Sequence, residues 1–465
     1  MTTNARTDIS VSQLRNELAG EVVAPDDPGY DDARKAFMPF YDERRPAVIV
    51  RPADAREVGF VVSLARESGL ELAIRSGGHS GAGHSTSDGG ILLDLSLMKA
   101  LEIDTAKRVA WAEAGLTSGE VTRATAAHGL AVGFGDTGSV GIGGLTLGGG
   151  VGYLVRKHGL TIDDLLAAEI VTADGRLLRV DSEQHPDLFW AIRGGGGNFG
   201  VVTRFKFRLH PVETVTGGML ILPATAETVA GFMAAAEAAP EEVSTIANVM
   251  TAPPMPFIPE EVHGEIVILA MLVHAGPPED GEQALAPFRA LATPLADMVR
   301  PMPYPEIYPP DDPEYRPVAA ARTMFVDTIG QDEAELILER LRGSTAMMAA
   351  TQLRALGGAM ARVPADATAF AHRQSKIMVN VAAIYGSPDE ASVHEEWVAE
   401  LAAALRQSDS GAYVNFVGDE GEEAVRAAYP GETWDRLAAI KRRYDPGNLF
   451  RLNQNIPPAA ESAAR

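Results

Sequence analysis

Three glycine-rich segments fall between Arg75 and Gly200: Arg75-Ser76-Gly77-Gly78-His79-Ser80-Gly81, the run from Gly138 to Gly152, and the run from Gly194 to Gly200. Glycine has no Cβ, so clustered glycines let the backbone approach a ligand closely and aim its N–H groups at phosphate. One such cluster is readily explained as a turn between strands. Three of them in one region point to a large phosphorylated cofactor, and they require a scaffold that brings three distant loops to one place.

The sequence around them supplies that scaffold. Ala47–Val50, Leu70–Ile74, Ile91–Leu95, Leu101–Ile103 and Val109–Ala112 read as short strands, and Asp54 to Ser68, with Val58, Val61, Val62 and Leu64 apolar, reads as a helix. Thr117-Ser118-Gly119-Glu120 fits a capping box and opens a helix that ends at Gly129, a residue suited to the left-handed C′ position. Val201–Leu209 alternates Phe205, Phe207 and Leu209 with Arg204, Lys206 and Arg208, as a half-buried strand does. Past Pro211 the texture changes to alanine-rich helices such as Ala226–Ala238 and Ser392–Gln407. Apolar strands such as Ile266–Val273 and Lys376–Ile384 separate them, and Ala252–Pro259 and Pro301–Pro313 read as surface loops. From about Ser408 the style changes again, with a strand expected over Ala412–Val417 and a helix ending at Lys441-Arg442-Arg443. A chain of 465 residues is too long for one small core, and two domains are the default expectation.

Composition removes several functions. The formal charge of −23 opposes binding to nucleic acid or to anionic lipid. There is no cysteine, which excludes disulfides, thiolate nucleophiles, Cys-ligated zinc and iron–sulfur clusters. The ten histidines show no H-E-x-x-H or similar paired spacing, so no metal is expected. Met1 to Ala24 has neither a basic nor an apolar leader region, and no apolar run approaches a membrane span; a cytoplasmic protein is expected.

Familiar motifs fail on context. Gly195-Gly196-Gly197-Asn198-Phe199-Gly200 satisfies G-x-G-x-x-G, but a dinucleotide fingerprint follows a strand and opens a helix, and this one opens the strand at Val201. No G-x-x-x-x-G-K-[ST] occurs, and Gly78-His79-Ser80-Gly81-Ala82 misses a nucleophile elbow at its last position. What remains is His79 at the end of a glycine turn, with a second glycine array downstream.

Arg75-Ser76-Gly77-Gly78-His79, the array Gly141-Ile142-Gly143-Gly144-Leu145-Thr146-Leu147-Gly148-Gly149-Gly150-Val151-Gly152-Tyr153 and Arg193 to Thr203 together resemble the berberine bridge enzyme-like flavin oxidases. These belong to the vanillyl-alcohol oxidase / p-cresol methylhydroxylase (PCMH) superfamily. The tail is similar to the family's C-terminal signature at Tyr413-Val414-Asn415 and from Tyr444 to Ile456, so the resemblance spans nearly the whole chain. It implies an α+β, two-domain PCMH-type FAD-binding fold with a substrate domain of antiparallel sheet and helices. The FAD-binding domain is expected over residues 1–212 (core 42–212), the substrate domain over 213–409, and a returning C-terminal segment over 410–465.

The resemblance also implies site residues. It places FAD against Arg75, Ser76, Gly77, Gly78, His79, Ser80 and Gly81, against Thr137, Gly138, Val140, Gly141, Gly143, Gly144, Gly148 and Gly152, against Gly200, Val201 and Val202, and against Tyr413, Asn453 and Asn455. In the family the histidine of the R-S-G-G-H turn, here His79, is bonded to the flavin. Many members add a second bond through a cysteine where this chain has Thr137, so a single link is expected, as in the 6-hydroxy-D-nicotine oxidase-like bacterial subgroup. A small valine at position 140 accompanies access of dioxygen in the family, which favours an oxidase. A dehydrogenase with another acceptor, or a flavoprotein without catalysis, are the alternatives.

The expected substrate is a small molecule, and relatives oxidise sugars, alkaloids, cyclic amines and polyketide glycosides. The candidate base is Tyr413, with Asn415 as its partner two strand residues on. Gln352 and Arg354 share a face if Thr351–Arg354 is a strand. A cation there could lower the pKa of Tyr413 or bind an anionic substrate; a solvated arginine on a sheet edge is the alternative.

Overall fold

The computed structural model describes residues 10–310, 312, 314–407 and 411–460. The first region builds two main sheets and a short two-stranded pairing of Leu130–Ala131 with His210–Pro211. In the smaller main sheet Val48–Arg51 and Leu72–Arg75 flank Ile91–Asp94 in parallel, and Glu21–Val23 lies antiparallel on the outside of Val48–Arg51. The parallel strands Val48–Arg51 and Leu72–Arg75, on either side of Ile91–Asp94, need a crossover between them, and the helix Ala55–Ser68 provides it. Its N-cap Asp54 accepts the N–H groups of Arg56 and Glu57 at 2.8 and 3.1 Å. Val58, Val61, Val62 and Ala65 are buried against the sheet, and the helix stops at Gly69 with φ +67°.

The second sheet is antiparallel, in the order Leu101–Asp104, Val109–Glu113, Val201–Arg208, Leu165–Val171, Leu177–Asp181. Val201–Arg208 is its central strand, and the expected alternation places Phe205 and Phe207 in the core. The helix Ser118–Ala126 carries the reciprocal capping box: Thr117 N–H donates to Glu120 at 2.8 Å, and Glu120 N–H donates to the Thr117 hydroxyl at 3.3 Å.

From Thr214 the chain forms a larger antiparallel sheet in the order Ala296–Asp297, Thr214–Pro223, Ile266–His274, Val243–Thr251, Met348–Ala355, Ile377–Tyr385, Val318–Val326. The helices Ala226–Ala238, Pro278–Arg289, Gln331–Arg342 and Ala391–Leu405 cover one face. There Phe232, Phe288, Ile337 and Leu401 pack with Val249, Leu353 and Val379. Period-two alternation therefore turns Asn248, Gln352, Arg354 and Asn380 to the opposite face, which looks toward the glycine loops.

Two expectations differ. Pro301–Pro313 is not simply a surface loop: Arg300–Pro303 pairs with Thr214–Gly217 at the sheet edge, where proline is tolerated, and Tyr304 is fully buried. Ala412–Val417 is not a strand. It makes a single turn at Val414–Phe416, closed by Phe416 N–H to the Tyr413 carbonyl at 2.8 Å, and it pairs with no strand among the described residues. The expected change of texture at Ser408 and the boundary at 409/410 lie outside the described residues.

The tail returns to the first core. Val414, Trp434, Leu437, Ile440, Phe450 and Ile456 belong to the same buried cluster as Val48, Ile91, Phe134 and Phe205. Lys441 and Asp445, both fully buried, tie it down. Lys441 donates to Asp445 at 2.7 Å and to the carbonyls of Asn198 and Phe450 at 2.7 and 2.8 Å, so the ammonium is fully bonded. Among the described residues no helix is long and apolar enough to cross a membrane.

Candidate active site

A cavity of about 540 Å³ opens between the glycine loops, the tail and the uncovered face of the larger sheet. Ser76 to Gly81, Thr137, Val140, Gly141, Gly143, Gly144, Gly200, Val201, Val202 and Asn453 line it, together with Gln352, Arg354, Tyr413 and Asn415. Three loops distant in sequence thus meet one row of polar side chains. The first two loops touch directly: a Cβ on Gly77 would lie 2.2 Å from the Gly141 nitrogen, so their meeting depends on glycine. Ser76 locks the contact, its hydroxyl donating to the Ala114 carbonyl at 2.6 Å and accepting the Gly143 N–H at 3.2 Å.

Five expected cofactor contacts are absent from this lining. Arg75 turns inward and donates to the carbonyls of Ala33, Arg34 and Ser85 at 2.6, 2.8 and 3.1 Å, bracing the turn from behind. Gly138 accepts from Gly119 N–H at 2.9 Å at the start of the capped helix. Gly148 lies under Asn415, where a Cβ would approach its side-chain oxygen to 2.0 Å, and Gly152 abuts the Phe134 carbonyl. Asn455, in the tail, does not line the cavity, although its side-chain oxygen, like that of Asn453, is buried without a partner among the described residues. Glycines in these arrays serve packing as well as the cavity, and a motif does not distinguish the two.

His79 is half-buried at the rim, its ring stacked on Phe37 with centroids 4.3 Å apart and planes 20° from parallel. His84 also lines the cavity. Burial, reinforced by the charge of Arg44, holds its pKa down to about 4, so its ring is neutral at physiological pH.

Tyr413, also part of the lining, is buried. Its hydroxyl oxygen accepts the Gly150 N–H at 3.0 Å and the Asn415 amide N–H at 2.9 Å, and Asn415 also donates to the Leu145 carbonyl at 3.0 Å. The two side chains meet as expected, through a turn rather than along a strand. Burial pushes the Tyr413 pKa above the usual phenol range; the Gly150 and Asn415 hydrogen bonds and the Arg354 charge pull in the other direction without overcoming it.

Gln352 and Arg354 stand on an interior strand with neighbours on both sides, which removes the solvated-edge alternative. Arg354 donates to Gln352 at 2.8 Å and to the Val151 carbonyl at 3.3 Å, forms an ion pair with Asp136, and lies 5.3 Å from the Phe416 ring centre. Gln352 donates to Asn248 at 2.9 Å. Asn248, Gln352 and Asn380 are cross-strand partners in adjacent strands. Asn248, Asn380, Asp136 and His84 were not singled out from sequence. Only Asp136, next to Thr137 at the second glycine array, carried a local signal.

These residues suit a flavin dinucleotide. Backbone from all three glycine loops faces the cavity. Among the described residues, the buried Asn453 and Asn380 side-chain oxygens and the His84 Nε2 have no partner within the protein, as expected of groups that meet a ligand. A second cavity, of about 500 Å³ near Arg66, Arg176 and Arg443, is lined by guanidiniums that already face Glu67, Asp174 and Asp187, and its wall includes none of the three clusters.

Residues 46–181 match the FAD binding domain family, and residues 412–457 match the berberine and berberine-like family. The chain is 32% identical over 462 residues to (R)-6-hydroxynicotine oxidase of Paenarthrobacter nicotinovorans, covering 95% of this chain and 97% of that protein. It is also 32% identical to an uncharacterised FAD-linked oxidoreductase of Bacillus subtilis, YgaK, over 96% and 99% of the two chains. The crystal structure of 6-hydroxy-D-nicotine oxidase from Arthrobacter nicotinovorans superposes with a TM-score of 0.84 at 30% identity, covering 95% of this chain and 99% of that one. A berberine bridge enzyme-like protein of Physcomitrella patens shares the fold, with a TM-score of 0.86 at 23% identity. The chain therefore belongs to the berberine bridge enzyme-like FAD-linked oxidoreductases of the PCMH superfamily.

Proposed function

We propose that this oxidoreductase acts on a small organic substrate bearing an O–H or N–H beside the C–H bond that breaks, with FAD held by one covalent bond to His79 and dioxygen as the final acceptor. The observation that carries this reading is the single cavity that brings His79, Thr137 and Val140 together with Tyr413, Gln352 and Arg354. In this division residues 1–212 and 410–465 hold the cofactor, and 213–409 present the polar row to the substrate. The absence of cysteine leaves His79 as the one expected attachment point, and the small side chain of Val140 favours dioxygen.

FAD, when bound, supplies a two-electron acceptor for the substrate C–H bond. Ser76 to Gly81, Gly141 to Gly144 and Asn453 would hold it. Tyr413 handles the proton. A phenol oxygen has two lone pairs and one proton, and both lone pairs already accept N–H groups from Gly150 and Asn415. The neutral phenol can therefore donate to the substrate, whereas the ionised form gains a free lone pair to take its proton. Gln352, held by Asn248, and Asn380 beside it orient the substrate's polar groups.

The attachment is tested on a denaturing gel. Wild-type protein should migrate as a yellow, fluorescent band and His79→Ala should not; release of all flavin from wild type would refute the covalent link. An anaerobic screen of amines, alcohols and sugars, read by bleaching of the flavin absorbance, tests the activity. Peroxide released on admission of air then identifies dioxygen as the acceptor.

A further inference from the structure

Asp136 stands on the loop that leads into the second glycine array, and both of its carboxylate oxygens are engaged. One accepts the Thr137 hydroxyl at 3.2 Å; the other pairs with Arg354, reaching from the first region to the larger sheet. Arg354 is buried, with 4% of its side chain exposed, and it is the cation that acts on Tyr413. Its guanidinium is held at two further points, by the Gln352 side chain and by the carbonyl of Val151, one residue beyond the Gly150 N–H that bonds Tyr413. Thus Arg354 stays beside Tyr413 while its charge is balanced by a contacting carboxylate. A cation paired in this way exerts less pull on a neighbouring phenol than a cation alone.

Other titratable groups surround the pair. Tyr153, Tyr304 and Tyr308 are buried, and their pKa values are pushed up, so they stay neutral. His372 stacks on Phe325 and meets the edge of Phe370, whose ring packs against Tyr413. Further out, Arg322 and Glu420 pair with each other at 3.1 Å.

We propose that Asp136 is a positioning residue that governs the ionisation of Tyr413 at second hand, by pairing with Arg354. This inference rests on the reading of Tyr413 as the base. Asp136 touches Arg354 and not the phenol, so it sets the pH range in which Tyr413 can accept a proton without taking part in the transfer. Its partner Thr137, at the position where many relatives carry a cysteine, helps hold the carboxylate in place. A loop residue of the cofactor region thereby tunes a residue of the tail through an arginine of the larger sheet.

The test uses the full-length holoprotein with ring-labelled [13C]tyrosine, the Tyr413 signal being assigned by its loss in Tyr413→Phe. NMR then reads its ionisation directly, and anaerobic flavin reduction at varied pH reads its consequence. Asp136→Asn keeps an oxygen that can accept from Arg354 and removes the charge. It should lower the Tyr413 titration midpoint by about one pH unit and raise the reduction rate below that midpoint about tenfold. Arg354→Gln should move both readouts in the opposite direction. A midpoint in Asp136→Asn that is unchanged or raised would overturn the proposal. If instead Tyr413→Phe reduces the flavin as fast as wild type, the reading of Tyr413 as base fails, and the NMR titration still decides whether Asp136 governs its ionisation.

Discussion

Tyr413 illustrates how neighbours redefine a residue. A phenol near its usual pKa is a poor base at neutral pH, and here burial moves it further in the unfavourable direction. Two N–H donors and one cation oppose that effect, all held by backbone or by well-anchored side chains. Because the pKa is raised, the ionised fraction increases with pH throughout the neutral and mildly alkaline range. Flavin reduction should therefore accelerate with rising pH, and Tyr413→Phe should abolish that slope and slow reduction by about 10²–10⁴-fold. Stopped-flow absorbance across a pH series checks both. Position 413 was visible in the sequence through the tail signature. Asn248 and Asn380 were not, and Asp136 was marked only by its place next to Thr137, because their contacts are with partners that lie beside them only after folding.

At the scale of elements, the capped helix Ser118–Ala126 was legible because its signals are local. Thr117 and Glu120 satisfy each other's backbone N–H groups within four consecutive residues. Ser118, at the first position of that helix, also donates to the Thr137 carbonyl at 2.7 Å, so the helix start supports the loop that carries Asp136 and Val140. Thr117→Ala should cost about 1 kcal/mol of stability, measured by urea unfolding, with the FAD content retained. The turn at Val414–Phe416 was misread for the complementary reason. Tyr-x-Asn spacing looks like period two, but a strand needs a neighbouring edge, and this segment has none among the described residues. Pro301 and Pro303 misled in the other direction, since an edge strand tolerates proline where an interior strand does not.

At the scale of the whole molecule, the tail closes the structure. Asn198, in the third glycine cluster, donates to the carbonyls of Gly195 and Gln454 and accepts the Ile456 N–H, while Lys441 donates to the Asn198 carbonyl. The third glycine loop is thereby fixed by residues more than two hundred positions away. Lys441→Met leaves the Asp445 carboxylate buried without its cation, although Leu449 and Phe450 N–H groups still donate to it. The loss should be about 3–5 kcal/mol, read as a lower unfolding midpoint in urea. Asp445→Asn with Lys441→Met together should recover part of it, because the uncompensated charge is then gone.

Beyond the family resemblance, which pointed to FAD and His79, the sequence by itself determined a strand–helix scaffold around three glycine loops suited to a large phosphorylated cofactor. Scaffold and loops follow from steric permission, periodicity and capping, which act over a few residues. Only the tertiary structure decided which glycines face the cavity and which pack behind it, that Arg75 braces its turn from within, and that Arg354 is buried and paired. Those outcomes depend on strand register and on which distant groups share a buried space, where one contacting carboxylate changes what a cation does to its neighbour.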